Sequence, residues 1–172
     1  GDIYFTDPPY GLPRENRDSM RELYFCGVYL LKPDGRLMLL TKQFERPNGV
    51  ALSPDESILY VAQSSRKRPV IMGFPIQPGG LLEHGFVVYD FSDRIDKARG
   101  SADGLKVDRH GNLFAAGPGG VHVITPNGTL LGRIETDQAT ANCAWGDDGS
   151  VLYMTADTYL CRIQTKTKGA GW

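Results

Sequence analysis

Short apolar runs rich in β-branched and aromatic residues recur along the whole chain, each closed by glycine, proline, asparagine or an acidic residue. "IYFTD" at 3–7, "GVYLL" at 27–31, "ILYVAQ" at 58–63, "LFAAG" at 113–117 and "VLYMTA" at 151–156 are examples. That pattern predicts strands joined by tight turns. The punctuation is specific: "PDG" at 33–35, "SPDES" at 53–57, "DRHGN" at 108–112, "PNG" at 126–128 and "GDDGS" at 146–150 each separate two apolar runs. Asp-Gly and Asn-Gly suit hairpins because both central turn residues can take positive φ at little cost. Hairpin after hairpin is therefore expected. No segment offers a convincing ten-residue amphipathic helix between strands, which argues against a parallel α/β arrangement. The best helical candidate, "RENRDSMRELYF" at 14–25, reads as an inter-strand loop with a helical turn. The expected fold class is all-β.

Superposing the segments exposes an internal repeat. "NGVALSPDESILYVAQS" from Asn48, "DGLKVDRHGNLFAAGP" from Asp103 and "NCAWGDDGSVLYMTAD" from Asn142 share one plan. A polar residue precedes a short strand, an acidic or glycine turn, and a second strand of apolar-aromatic-apolar-small character. "GDIYFTD" at the start reads as the second half of a fourth copy. The copies begin at residues 48, 103 and 142, spacings of 55 and then 39. Periods of roughly 40–50 residues with four strands each fit the blades of a β-propeller. The longer interval reads as two outer strands with an enlarged loop, and "GGVHVITPNGTLLGRIE" supplies the outer hairpin of the copy from Asp103. A β-sandwich is the alternative, and the long repeat weighs against it. Four copies or parts of copies make an incomplete ring, so residues 1–172 are expected to be the C-terminal part of a single propeller domain whose N-terminal blades are absent.

Charge and composition then narrow the partners. Nineteen basic residues stand against 20 acidic ones, so the net charge of −1 creates no field for nucleic acid or an anionic membrane surface. The longest apolar runs fall far short of the roughly 20 residues that span a bilayer. Cys26, Cys143 and Cys161 are an odd count with no CxxC spacing, which reads as free thiols rather than a zinc knuckle or a disulfide framework. The chain opens on "GDIYFTD" without an initiator methionine or apolar leader, so something upstream is expected to be missing and the compartment is not readable.

Candidate chemistry follows from the repeat. In a propeller the innermost strand of each blade runs along a central channel, so equivalent positions at its start converge. Asn48, Asp103 and Asn142 hold that position in three copies. One carboxylate and two amide carbonyls are hard oxygen donors, suited to Ca²⁺ or Mg²⁺. The glycines after Asn48 and Asp103 are expected to let the backbone turn sharply and to leave space near the axis. Asn-Gly and Asp-Gly are also plain turn formers, but three aligned copies favour a site. His84, His110 and His122 lack metal-ligand spacing and read as surface or packing residues. "GPGG" at 117–120 lacks the lysine and helix of a P-loop and reads as a tight turn. "SSRKRP" at 64–69 reads as a solvated loop, and no GxSxG nucleophile elbow is present.

"YFTDPPYG", "RPNGVALSPD", "ADGLKVDRHGNLFAAGPGGVHVITPNG" and "NCAWGDDGSVLYMTA", taken together and in this order, resemble the gluconolactonase branch of the family that includes senescence marker protein (regucalcin) and luciferin-regenerating enzyme. The resemblance implies a six-bladed β-propeller, here about four blades, with one divalent cation in its channel. Calcium is the first expectation for that cation, with Mg²⁺, Zn²⁺ and Mn²⁺ as alternatives. It implies metal-dependent hydrolysis of sugar lactones to aldonic acids. By motif, Asn48 and Asp103 correspond to metal ligands and Asp103 also to the proton acceptor or donor of catalysis. Asn142 and, by a looser match, Glu22 correspond to substrate contacts. The family's other ligands lie before the "YFTDPPYG" strand, so the fragment alone is expected to be inactive. A calcium-dependent phosphotriesterase or arylesterase, and a noncatalytic ligand-binding propeller, are the alternatives to a lactonase.

Overall fold

Fourteen strands form in the computed structural model, which describes residues 1–172, and they pair only with sequence neighbours into four antiparallel sheets. The first sheet holds β1 (Ile3–Asp7), β2 (Gly27–Leu31) and β3 (Leu37–Thr41). The second holds β4 (Pro47–Leu52), β5 (Ile58–Gln63), β6 (Val70–Pro75) and β7 (Phe86–Asp90). The third holds β8 (Leu105–Val107), β9 (Leu113–Gly117), β10 (Gly120–Ile124) and β11 (Leu130–Glu135), and the fourth holds β12 (Thr140–Gly146), β13 (Val151–Ala156) and β14 (Tyr159–Gln164). The segment from 14 to 25 is an inter-strand loop, with short 3₁₀ turns at Pro9–Gly11 and Glu15–Arg17 around its start.

All five sequence-read turns connect paired strands, but their geometry differs from the expected mirror-image hairpin turns. Positive φ falls on one residue, Gly35, Glu56, Gly111 or Gly128, and in the last turn on the non-adjacent Asp147 and Gly149. The reason lies in the acidic residues. The carboxylates of Asp34, Asp55, Asp108 and Asp148 each accept the backbone N–H two residues ahead. That cap holds an ordinary turn, which a single left-handed residue then closes.

The side-chain alternation of each strand, with its period of two, divides residues between two neighbouring cores. Along β5, Leu59 and Val61 join Val28, Phe44, Met72 and Phe74 in the layer between the first and second sheets. Tyr60 and Ala62 point the other way, into the layer with Leu105, Leu113 and Ile124 of the third sheet. Along β9 the same division puts Leu113 and Ala115 into that layer and Phe114 into the next, against Cys143, Leu152 and Met154. Each sheet is therefore a slab with an apolar face toward each neighbour. β1 packs beside β4, β4 beside β8 and β8 beside β12, so the four sheets fan out from a shared line in a propeller-like arrangement.

The two ends of that line differ. Where β4, β8 and β12 finish, a cavity of about 470 Å³ is lined largely by Val50, Leu52, Val107, Trp145 and Trp172. The last residues close over it: Arg109 N–H donates to Lys168 O, and Ala170 N–H donates to Val107 O. The polar side chains gather at the opposite end, where the inner strands begin.

Candidate functional site

At that end neighbouring sheets are joined by hydrogen bonds onto backbone carbonyls. Thr6 Oγ1 donates to Asn48 O at 2.7 Å, and Gly104 N–H donates to Ala141 O at 2.8 Å. A Cβ on Gly49 would run into the carbonyl oxygen of Asp103, and one on Gly104 would run into the Asn142 amide. Neither glycine has positive φ. They are required by the close approach of neighbouring strands, not by a sharp turn of their own chain.

Asn48 and Asp103 line one cavity of about 380 Å³, together with Tyr10, Arg46, Ser64, Arg66, Gly100 and Ser101. The Asn48 amide is oriented from behind: Nδ2 donates to Ser64 Oγ at 2.9 Å, and Ser64 Oγ donates to Ala102 O at 2.5 Å. That commits Nδ2 as donor and leaves Oδ1 as the atom able to meet a cation. Burial pushes the Asp103 carboxyl up to about 6, against hydrogen bonds from Gly104 N–H and the Asn48 side chain that favour its charged form. Asp103 takes part in none of the seven ion pairs of the chain. A half-buried carboxylate without a counter-ion favours a bound cation, because a nearby positive charge offsets the desolvation of the anion. One carboxylate and one amide carbonyl are hard donors that fit part of a calcium shell, which takes six to eight oxygens. No group of three or more His, Cys, Asp or Glu able to hold a metal forms in the chain.

The other two sequence-read site residues lie elsewhere. Asn142 sits on β12 directly against Gly104, but its Oδ1 accepts the Cys143 N–H at 2.9 Å and it forms no part of the cavity wall. Glu22 is exposed on the loop between β1 and β2 and lines a separate cavity with Asp7, Leu12, Met20 and Phe25. The structure brings Asn48 and Asp103 together and leaves Glu22 apart.

Sequence reasoning missed most of the wall. Arg46 lies in the bend just before β4, two residues ahead of Asn48, and no sequence pattern marked it. Its Nη2 pairs with Glu15 Oε2 at 2.5 Å, and its guanidinium lies 5.8 Å from the Tyr10 ring centroid. Arg66, read as part of a solvated loop, also reaches the wall while pairing with Asp96 and donating to Ile95 O. Ser64 and Ser101 carried no signal, since nothing in a lone serine marks it as a cavity residue.

The family described as "SMP-30/Gluconolactonase/LRE-like region" matches residues 1–158. The chain belongs to this family. A gluconolactonase of Zymomonas mobilis is 40% identical over 98% of the chain and 49% of its own length. The solved structure of a gluconolactonase from Xanthomonas campestris superposes with a TM-score of 0.82 at 34% identity, over 95% of the chain and 53% of that protein. A calcium-binding regucalcin from Agrobacterium tumefaciens shares the fold, with a TM-score of 0.67 at 22% identity over 86% of the chain and 54% of its own. The chain spans about half the length of the curated relatives it matches. With SMP-30-family relatives of this kind, the four fanned sheets form a propeller-like fold, and the end carrying Asn48 and Asp103 is its candidate site.

Proposed function

We propose that residues 1–172 are the C-terminal part of a single six-bladed β-propeller, about four of its blades, and that the complete protein is a metal-dependent lactonase converting sugar lactones to aldonic acids. The half coverage of the relatives supports the partial domain. So does the first sheet: β1 matches β5 by motif, yet has no partner in the position that β4 holds beside β5.

One observation carries the catalytic reading: a half-buried carboxylate without a counter-ion, Asp103, shares a polar cavity with Asn48 where the inner strands converge. In this reading Asn48 and Asp103 hold the divalent cation, calcium first, with further ligands supplied by the rest of the protein. When bound, the cation supplies positive charge against the oxyanion of the opening lactone. Asp103 orients the attacking water and accepts its proton. Asn48, held by Ser64, keeps its carbonyl oxygen in place without rearrangement during the reaction.

The test is hydrolysis of glucono-1,5-lactone by the complete protein with added Ca²⁺, compared with Asp103→Asn and Asp103→Ala. Loss of about a hundredfold or more in kcat with the unfolding temperature retained is expected for removal of a general base. Undiminished turnover in both variants would reject the role of Asp103.

A further inference from the structure

The wall of the cavity holds two arginines, and the two are not equivalent. Arg66 lies at the rim, its side chain 62% exposed. Arg46 lies deeper, 33% exposed, and is fixed twice over by parts of the chain far away in sequence. Glu15 grips one terminal nitrogen at 2.5 Å, and the Tyr10 ring underlies the guanidinium at 5.8 Å. Both belong to the loop between β1 and β2, whose other contacts keep it ordered: Arg14 N–H and Met20 N–H both donate to the Asp18 carboxylate, at 3.0 and 2.9 Å. A guanidinium has five N–H donors in a rigid fork, and one carboxylate oxygen occupies only part of that fork. Arg46 borders the same 380 Å³ space as Asn48 and Asp103.

The composition of the wall defines what those donors meet. Of eight lining residues, only Tyr10 is apolar. An alkyl lactone would desolvate Arg46 and Ser101 without replacing their hydrogen bonds to water, which is costly. A polyhydroxylated lactone replaces them. Because Glu15 already neutralises Arg46, the guanidinium is matched to neutral hydroxyl oxygens and does not require an anionic substituent.

We propose that Arg46, preorganised by Glu15 and Tyr10, is a specificity-determining residue that selects polyhydroxylated over alkyl lactones by donating to substrate hydroxyl oxygens. This rests on the lactonase reading of the site. The mouth loop between β1 and β2 thereby takes part in substrate selection through an arginine that it does not itself contain.

The experiment compares kcat/KM for glucono-1,5-lactone and for δ-valerolactone in the complete protein, its Arg46→Met variant and its Glu15→Gln variant. In Arg46→Met, kcat/KM for the sugar lactone is expected to fall by about 10- to 100-fold, the loss of a charge-assisted hydrogen bond, mainly through KM. Turnover of δ-valerolactone should change less than about threefold. Glu15→Gln should shift the sugar lactone in the same direction by a smaller factor, and added guanidinium ion should partly restore an Arg46→Ala variant. Equal losses for both lactones would mark Arg46 as structural, and no loss for either would remove it from the site; both results overturn the inference. Calorimetric titration with glucono-1,5-lactam, a neutral ring with the same hydroxyls that is not hydrolysed as an ester, separates this outcome from failure of the lactonase reading. If the wild type hydrolyses neither lactone, weaker lactam binding by Arg46→Met still supports the inference, whereas unchanged or absent binding overturns it.

Discussion

Gly49 and Gly104 show how much of the site is decided by single residues. Each lies where one sheet's inner strand presses on the next, but the obstacles differ. A Cβ at Gly49 meets the Asp103 carbonyl, part of the backbone, whereas a Cβ at Gly104 meets the Asn142 amide, a side chain that can swing aside. Backbone cannot yield without moving a strand, so Gly49→Ala should destabilise by about 3 kcal/mol, the upper end of overpacking costs, and Gly104→Ala by about 1 kcal/mol. Denaturant unfolding of the complete protein carrying each variant checks the order; equal costs would contradict it. Asn48 and Asp103 were legible in the sequence because each opens a repeat copy. Arg46, Tyr10 and Glu15 were not, because their relation is set by a loop folding back across about 30 residues of chain, as the Arg46–Glu15 pair shows.

At the scale of elements, β10 carries an oddity. His122 is fully buried and neither ring nitrogen has a hydrogen-bond partner. Phe91 meets its ring edge-on at 5.0 Å, Tyr89 lies at 6.1 Å, and Arg133 faces it from β11. Burial, together with the charges of Arg133 and Arg94, pulls its pKa down from 6.5 to about 4. Above about pH 6.5 the ring is neutral in both folded and unfolded chains and contributes no pH dependence. Below that, the unfolded chain binds a proton that the folded one refuses, so stability falls with decreasing pH until about pH 4. The slope is up to about 1.4 kcal/mol per pH unit and the total about 3 kcal/mol. Urea unfolding of the complete protein between pH 7.5 and 4.5 should show the decline, and His122→Phe should flatten it; a parallel decline in both would refute the assignment. The strands and hairpins themselves were readable from period-two alternation and turn residues. The turn type was not, because the Asp side-chain caps that set it depend on where each carboxylate points.

The whole molecule leaves strand edges open. β1 and β14 each have one edge without a partner strand, and Ile3, Tyr159 and Leu160 are exposed on them. Unpaired apolar edges promote pairing with other chains. The 172-residue chain by itself is therefore expected to self-associate in sedimentation experiments and to show no measurable lactone hydrolysis, since Asn48 and Asp103 supply only two of the ligands a calcium site needs. A monomeric chain that turns over lactone would overturn the proposed incomplete domain.

Hydrophobic alternation, turn chemistry and the repeat determined by themselves that this chain is all-β, where its hairpins lie and which polar residues head the repeat copies. Those features are local, or recur at a fixed interval, and so survive in one dimension. The tertiary structure alone decided that Asn48 and Asp103 share a cavity while Asn142 stands beside it and Glu22 apart. It also decided that two arginines from the segments around β4 and β5 line the same space. Convergence of that kind depends on how far each sheet is rotated from the next, and that rotation is set by packing of apolar faces distant in sequence, which no local pattern encodes.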